Sequence, residues 1–178
     1  MTYLVGSERY DAALTFPAYL QVVVKNGDLW RAMYRTASVS ENAVDRLARV
    51  RGSWRLLALS EDWCGDAVST LPVVARLAEL TGWDFRVLAR DANLDIMDAH
   101  LTSGTRSIPV VMVLDAHFVS QCWWGPRPAV VQRWMRNEAL WLDKDVRGRR
   151  KRAWYARDRG RTTVQEVIET VERAARRA

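Results

Sequence analysis

Cysteine is scarce in this chain of 178 residues, which contains only Cys64 and Cys122. Two cysteines do not make the disulfide framework of a small secreted domain, so a reducing cytoplasm is the expected setting. Long hydrophobic runs are missing as well, and none approaches the ~18 residues of a membrane span. The first residues show neither the basic nor the apolar segment of a secretory signal. These absences predict a cytoplasmic protein without a membrane span.

Metal and nucleotide motifs are also missing. The two histidines, His100 and His117, stand alone and have no metal-ligand spacing to the cysteines. The sequence has no C-x-x-C pair, Walker loop or dinucleotide fingerprint. We therefore expect no metal and no bound cofactor.

The excess of positive over negative charge lies entirely at one end of the chain. Residues 1–140 hold 15 Lys/Arg and 15 Asp/Glu, whereas residues 141–178 hold 12 and 6, which accounts for the net charge of +6. The basic segment 147–161 contains Trp154 and Tyr155, which could stack on bases. Such a segment is more often a solvated helix face, so we expect no nucleic acid partner.

The stretch Ser60–Pro72 organises the rest of the chain. The apolar run Leu56–Leu59 precedes it and an apolar-periodic segment follows it, which predicts a buried strand, a tight turn and a helix. Cys64 falls in the first turn of that helix, where backbone N–H groups and the helix dipole favour the thiolate. The neighbouring acids, Glu61, Asp62 and Asp66, would oppose this by raising the pKa of the thiol.

The residues around Cys64 resemble the active site of a known family. The run Trp63-Cys64-Gly65-Asp66-Ala67 is similar to the Trp-Cys-Gly-Pro-Cys motif of thioredoxins, with Pro72 at the position of their helix-kinking proline. Ile108-Pro109 resembles the cis-proline that faces the cysteine. The segments 106–109 (RSIP) and 124–128 (WGPRP) resemble those of a bacterial branch with a helical N-terminal extension. The resemblance implies an α/β thioredoxin-like fold, a mixed central sheet flanked by helices.

The departures from the thioredoxin pattern affect the expected chemistry. Ala67 replaces the resolving cysteine, and Ala58 stands where thioredoxins keep a buried aspartate. The intramolecular dithiol cycle therefore cannot run between positions 64 and 67. We expect instead a monothiol route, in which an external thiol such as glutathione acts as co-substrate.

The resemblance also implies roles for residues near Cys64. Trp63 and Pro109 would form an apolar platform beside the sulfur, and the backbone of Ile108 would pair with an extended peptide partner. Arg106 and Arg127 belong to loops that flank the cysteine in this fold. We expect these arginines to offset the neighbouring acids.

Cys122 allows two interpretations. It lies near the end of the last predicted strand and could act as a distant resolving thiol for Cys64. The alternative is a packed structural thiol, which is the more common state of a lone cysteine.

We divide the chain into three parts. Residues 1–53 are predicted to form a helical extension packed on the core. Residues 54–143 form the thioredoxin-like core, with strands at 54–59, 83–89, 110–115 and 118–123 and helices at 64–80, 92–100 and from 127 onward past Trp141 towards Tyr155. Residues 144–178 form the basic helical tail. The apolar stripe of its last helix predicts docking on the same chain or formation of a homodimer.

Two functions remain open from the sequence. The first is a thiol–disulfide oxidoreductase or redox-responsive protein that uses Cys64 on a protein or small-molecule disulfide. The second is a non-catalytic module that binds a peptide or protein in a groove of Trp63, Ile108, Pro109 and Trp124.

Overall fold

The computed structural model describes residues 2–177 and contains one six-stranded sheet with packed helices. The strands are β1 (Tyr3–Leu4), β2 (Leu14–Thr15), β3 (Arg55–Ser60), β4 (Phe85–Ala89), β5 (Val110–Leu114) and β6 (Val119–Trp124). The helices are α1 (Ser7–Ala12), α2 (Phe16–Val22), α3 (Gly27–Thr36), α4 (Glu41–Ala48), α5 (Gly65–Thr81), α6 (Leu94–Asp98), α7 (Ala129–Asn137), α8 (Lys144–Asp158) and α9 (Arg161–Ala175). A single 3-10 turn spans Ala139–Trp141.

The sheet is mixed, as the sequence predicted. Its strand order is β1-β6-β5-β3-β4-β2. Strands β3 and β4 are parallel, and the other neighbours are antiparallel. Residues Leu56–Ser60 of β3 and all five residues of β5 are buried. A strand buried on both faces needs cover on both sides, so the helices enclose the centre of the sheet from both faces.

The N-terminal segment contributes more than helices. The prediction of helices alone over 1–53 missed the strands β1 and β2, which pair with the edge strands β6 and β4. Each is only two residues long, too short for an alternating pattern to be recognised in the sequence. Pro17 occupies the first turn of α2, where its missing N–H costs no hydrogen bond.

The helix that follows β6 does not continue into the basic tail. The prediction of a helix running from residue 127 past Trp141 was wrong, because the chain leaves α7 after Asn137 and extends at Leu142. Asp143 then caps α8 by accepting a hydrogen bond from the backbone N–H of Asp145. The last helix, α9, packs against β5, β6, α4 and α5. The predicted apolar stripe is therefore covered by the chain itself. Within residues 2–177, no helix is both long enough and apolar enough to cross a membrane.

Candidate functional site

Cys64 lies at the junction between β3 and α5. Its backbone C=O accepts the first helical hydrogen bond, from Val68, and its side chain is 7% exposed. The sulfur lies 3.4 Å from the carbonyl oxygen of Ile108, to which the thiol donates a hydrogen bond. The cysteine therefore sits at a helix N-terminus, in contact with the loop that precedes β5.

Burial is the dominant influence on this thiol and raises its pKa above the ordinary value. The carboxylate of Asp66 acts in the same direction. Hydrogen bonds from the backbone N–H groups of Ala67 and Asp66, together with the ammonium of Lys151, partly offset the increase. The expectation of a thiolate stabilised by the helix N-terminus is thus only half right. The amides are in place, but desolvation outweighs them.

The loop opposite the sulfur has the geometry implied by the resemblance. The Ile108–Pro109 peptide bond is cis, and Ile108 is buried. Trp63, next to the cysteine, is 45% exposed. The guanidinium of Arg90 lies 5.2 Å from the centre of its ring. The residue that precedes the buried cysteine therefore offers an exposed aromatic surface.

Asp66 is the centre of a buried cluster of charged and polar groups. It is 4% exposed although it lies in the first turn of α5. Its carboxylate accepts hydrogen bonds from Arg127 at 2.8 Å, Lys151 at 2.9 Å and the Tyr155 hydroxyl at 3.0 Å. Burial alone would raise the pKa of this carboxyl, but Lys151 and Arg127 hold it below its usual range. Asp66 is therefore a buried anion neutralised by two cations.

The two predicted arginines have different positions. Arg127 donates to Asp66 and so belongs to the site. Arg106 instead forms an exposed two-point ion pair with Asp98 at 2.6 and 2.7 Å. The prediction that Arg106 offsets the acids beside Cys64 was wrong, because Asp98 on α6 engages its guanidinium.

The other two acids near Cys64 in the sequence, Asp62 and Glu61, accept hydrogen bonds from backbone N–H groups of other segments. One Asp62 carboxylate oxygen accepts hydrogen bonds from the backbone N–H groups of Val24 and Lys25. The Glu61 carboxylate accepts one from the backbone N–H of Asp91. Of the three acids close in sequence, Asp66 is the one that raises the pKa of the thiol.

The loop after β6 passes directly over the cis-proline loop. Gly125 has φ +133°, and a Cβ built on it would lie 2.1 Å from the carbonyl oxygen of Pro109. Only glycine permits this approach. Trp124, which was expected to line a peptide groove, is buried, and its indole N–H donates to Glu166 of α9. That expectation is corrected, because α9 covers the indole.

Cys122 is a buried free thiol whose sulfur lies 3.7 Å from a guanidinium nitrogen of Arg177. Its partner across the sheet is Val113. Cys64 contacts the chain just before Val110, and strand β5 covers about 10 Å between Val110 and Val113. A disulfide requires Cα atoms within about 7 Å. The geometry favours the packed structural thiol over the distant resolving thiol.

Sequence reasoning missed Lys151 and Tyr155. Both were counted within a basic, solvent-facing segment, yet they reach the buried carboxylate beside Cys64. Their spacing of four residues, with Tyr155 as an aromatic in a charged run, places them on one helix face and was a usable signal.

The negative charge of Asp66 is expected to raise the pKa of Cys64. In a Cys122→Ser background, Asp66→Asn should lower the midpoint of the pH dependence of Cys64 alkylation, because it removes an anion and leaves two cations nearby. Lys151→Gln should shift the midpoint upwards. Asp98→Asn is the matched control and should leave it unchanged. Equal midpoints in all four proteins would contradict this account.

The mixed sheet, the helix that begins after Cys64 and the cis bond before β5 together define a thioredoxin-fold protein. A family model described as Thioredoxin matches residues 13–144, about three quarters of the chain. The chain therefore belongs to the thioredoxin family. No curated protein sequence matches it significantly.

Two solved structures have a similar fold. A protein of unknown function, PA1234 from Pseudomonas aeruginosa, aligns with a TM-score of 0.74 and 20% identity, covering 95% of this chain and 98% of that one. An HIV epitope scaffold aligns with a TM-score of 0.71 and 19% identity, covering 93% and 96% of the two chains. At these identities the likeness concerns the fold alone.

Proposed function

We propose that this protein carries out thiol–disulfide exchange through Cys64 alone, with an external thiol such as glutathione completing the cycle. The observation that carries the proposal is the placement of the Cys64 sulfur, at the start of α5 and 3.4 Å from the carbonyl of Ile108. Exposed Trp63 lies beside it, and a disulfide-bearing partner could rest on that ring. A reducing cytoplasm is the matching setting.

The chemistry balances without a second protein thiol. Cys64 releases its proton to solvent, and the thiolate attacks one sulfur of the substrate disulfide. The substrate S–S bond breaks, a mixed disulfide forms, and the other substrate sulfur leaves as a thiolate. Glutathione thiolate then attacks the Cys64 sulfur of the mixed disulfide, so that the second substrate sulfur leaves as a thiolate and a Cys64–glutathione disulfide forms. A second glutathione thiolate attacks the glutathione sulfur of this disulfide and releases the Cys64 thiolate. The net result is one disulfide reduced and two glutathiones oxidised to their disulfide.

The raised pKa of Cys64 affects the rates of these steps. A smaller fraction is thiolate at neutral pH, which slows the first attack. A thiol of higher pKa is also a poorer leaving group, so the mixed disulfide breaks more slowly at Cys64. We therefore propose a slow exchanger with a persistent mixed disulfide, which suits a redox-responsive protein better than a rapid reductase.

Reduction of a small dialkyl disulfide by glutathione tests the proposal. The wild type and Cys122→Ser should both accelerate the reaction, and their rates should rise with pH. Cys64→Ser should lose the acceleration completely. Loss in both single variants would indicate a Cys64–Cys122 pair, and no acceleration by the wild type would reject the enzymatic function.

A second candidate is a peptide- or protein-binding module, favoured by the raised pKa of the thiol together with the exposure of Trp63. Its groove would consist of Trp63, Ile108 and Pro109, since Trp124 is covered. In this case a partner captured by the wild type would bind Cys64→Ser equally well and Trp63→Ala poorly.

A further inference from the structure

A cavity of about 540 Å³ lies between α7 and α8, and part of the basic run of α8 lines it. This volume falls within the range of small-molecule sites, roughly 300–1,000 Å³. Its lining comes from the two helices and from Glu138, which follows α7: Val130, Val131, Arg133, Trp134, Glu138, Arg150, Lys151, Ala153, Trp154 and Arg157.

The walls of the cavity are aromatic and apolar. Trp134 from α7 and Trp154 from α8 are both half-buried, and Val131, which also lines the cavity, is buried. The Trp154 ring makes an edge-on contact with Tyr155, with ring centres 5.4 Å apart. Two indoles and a buried valine are suited to a flat apolar body, because aromatic rings stack on such surfaces.

The cations of the cavity are not neutralised by the protein. Across residues 2–177, no carboxylate lies within 4.0 Å of the guanidinium groups of Arg133, Arg150 or Arg157. Lys151 also lines the cavity, but its ammonium is bound to Asp66. Glu138 is the single acid among the lining residues. Guanidinium groups favour planar anions such as carboxylate, sulfonate and phosphate, which they bind through two parallel hydrogen bonds.

We propose that this cavity binds a small organic anion with an aromatic body. The ring system would lie between Trp134 and Trp154, and its acidic group would contact Arg150 and Arg157. A single cavity of this volume fits one small molecule better than a polynucleotide, which would need a continuous basic track. The proposal can fail separately from the exchange reaction, because the groups it depends on, Trp134, Trp154, Arg150 and Arg157, take no part in exchange. Lys151 also lines the cavity but is bound to Asp66 beside Cys64, so it is left unchanged in the test.

Two fluorescent probes of similar shape and different charge test the proposal. The anionic probe is 8-anilinonaphthalene-1-sulfonate, and the neutral one is N-phenyl-1-naphthylamine. The folded wild type should bind one equivalent of the sulfonate with a blue shift, and about ten-fold more tightly than the neutral amine.

Matched double variants locate the binding site on α8. The double variant Arg150→Gln with Arg157→Gln should weaken sulfonate binding about ten-fold. The control, Arg149→Gln with Arg152→Gln, removes the same charge outside the cavity and should change the sulfonate affinity less than about two-fold. All four arginines are exposed, so both variants should fold, and circular dichroism checks this. Trp154→Ala should also weaken binding.

Three results would overturn the proposal. Equal affinity for the two probes would mean that the arginines do not select an anion. Equal weakening in both double variants would mean a diffuse charge effect. Displacement of the sulfonate by a single-stranded oligonucleotide, with equal weakening of oligonucleotide binding in both variants, would indicate nucleic acid bound along the whole basic run.

Discussion

Asp66→Ala is expected to destabilise the protein by about 3–5 kcal/mol, because removing one partner of a buried ion pair leaves the other charges uncompensated. Arg127 and Lys151 have side-chain exposures of only 16% and 22%, and neither has another carboxylate within 4.0 Å among residues 2–177. For a chain of this length, the melting temperature should fall by about 10 °C. Thermal unfolding followed by circular dichroism measures the loss.

The ion pair between Arg106 and Asp98 supplies the control. Its shortest contact is 2.6 Å, shorter than any contact to Asp66, but both side chains are 48% exposed. Exposed pairs contribute little to stability, so Asp98→Ala should melt close to the wild type. Equal melting temperatures for the two variants would show that the Asp66 cluster does not hold α8 against α5.

The Asp66 cluster also makes the stability of the folded protein depend on pH. The pKa of Asp66 is lowered in the folded state, so the unfolded chain binds a proton at higher pH than the folded one. The stability from this group is therefore complete above its unfolded pKa and decreases as the pH falls towards the folded value. Asp66→Asn should remove this part of the acid sensitivity.

Gly125→Ala is expected to destabilise the protein by at least about 3 kcal/mol, because strain at a special φ and overlap with fixed backbone act together. The added Cβ would approach the Pro109 carbonyl oxygen to 2.1 Å, and φ is +133°. The backbone must move, and the loop carrying Arg127 would move with it. Urea denaturation gives the free energy of unfolding.

The substitution Gly104→Ala separates the strain of a positive φ from the overlap of the added Cβ with backbone. It also has a positive φ, +76°, but a Cβ there would meet no atom within 4 Å. Gly104→Ala should therefore cost only the left-handed strain, about 1 kcal/mol. If Gly125→Ala lost no more stability than Gly104→Ala, the close approach of the two loops would not contribute to the stability of the fold.

Much of the fold could be predicted, because local sequence patterns determine many of its helices and strands. The apolar run before Cys64 and the strands at 110–115 and 118–123 each depend on a few adjacent residues. The edge strands β1 and β2 could not be predicted, because they exist only through pairing with distant strands. Tertiary contacts, rather than propensity, decide such short elements.

The candidate site was predictable where a motif identified it. The cysteine, the cis-proline loop and Arg127 follow from the resemblance to thioredoxins. The spacing of Lys151 and Tyr155 places both on one face of α8, but their contact with Asp66 also depends on the path of α8 across the start of α5, which is a tertiary feature. The burial that raises the pKa of Cys64 has the same tertiary origin.

Intact-mass analysis after incubation with glutathione disulfide is the decisive test of exchange through Cys64. We expect one glutathionyl group per chain, located on Cys64, present in Cys122→Ser and absent in Cys64→Ser, and removed by reduced glutathione. A chain that loses two hydrogens through a Cys64–Cys122 disulfide, or a native chain that gains no adduct on Cys64 even at alkaline pH, would contradict exchange through Cys64 alone.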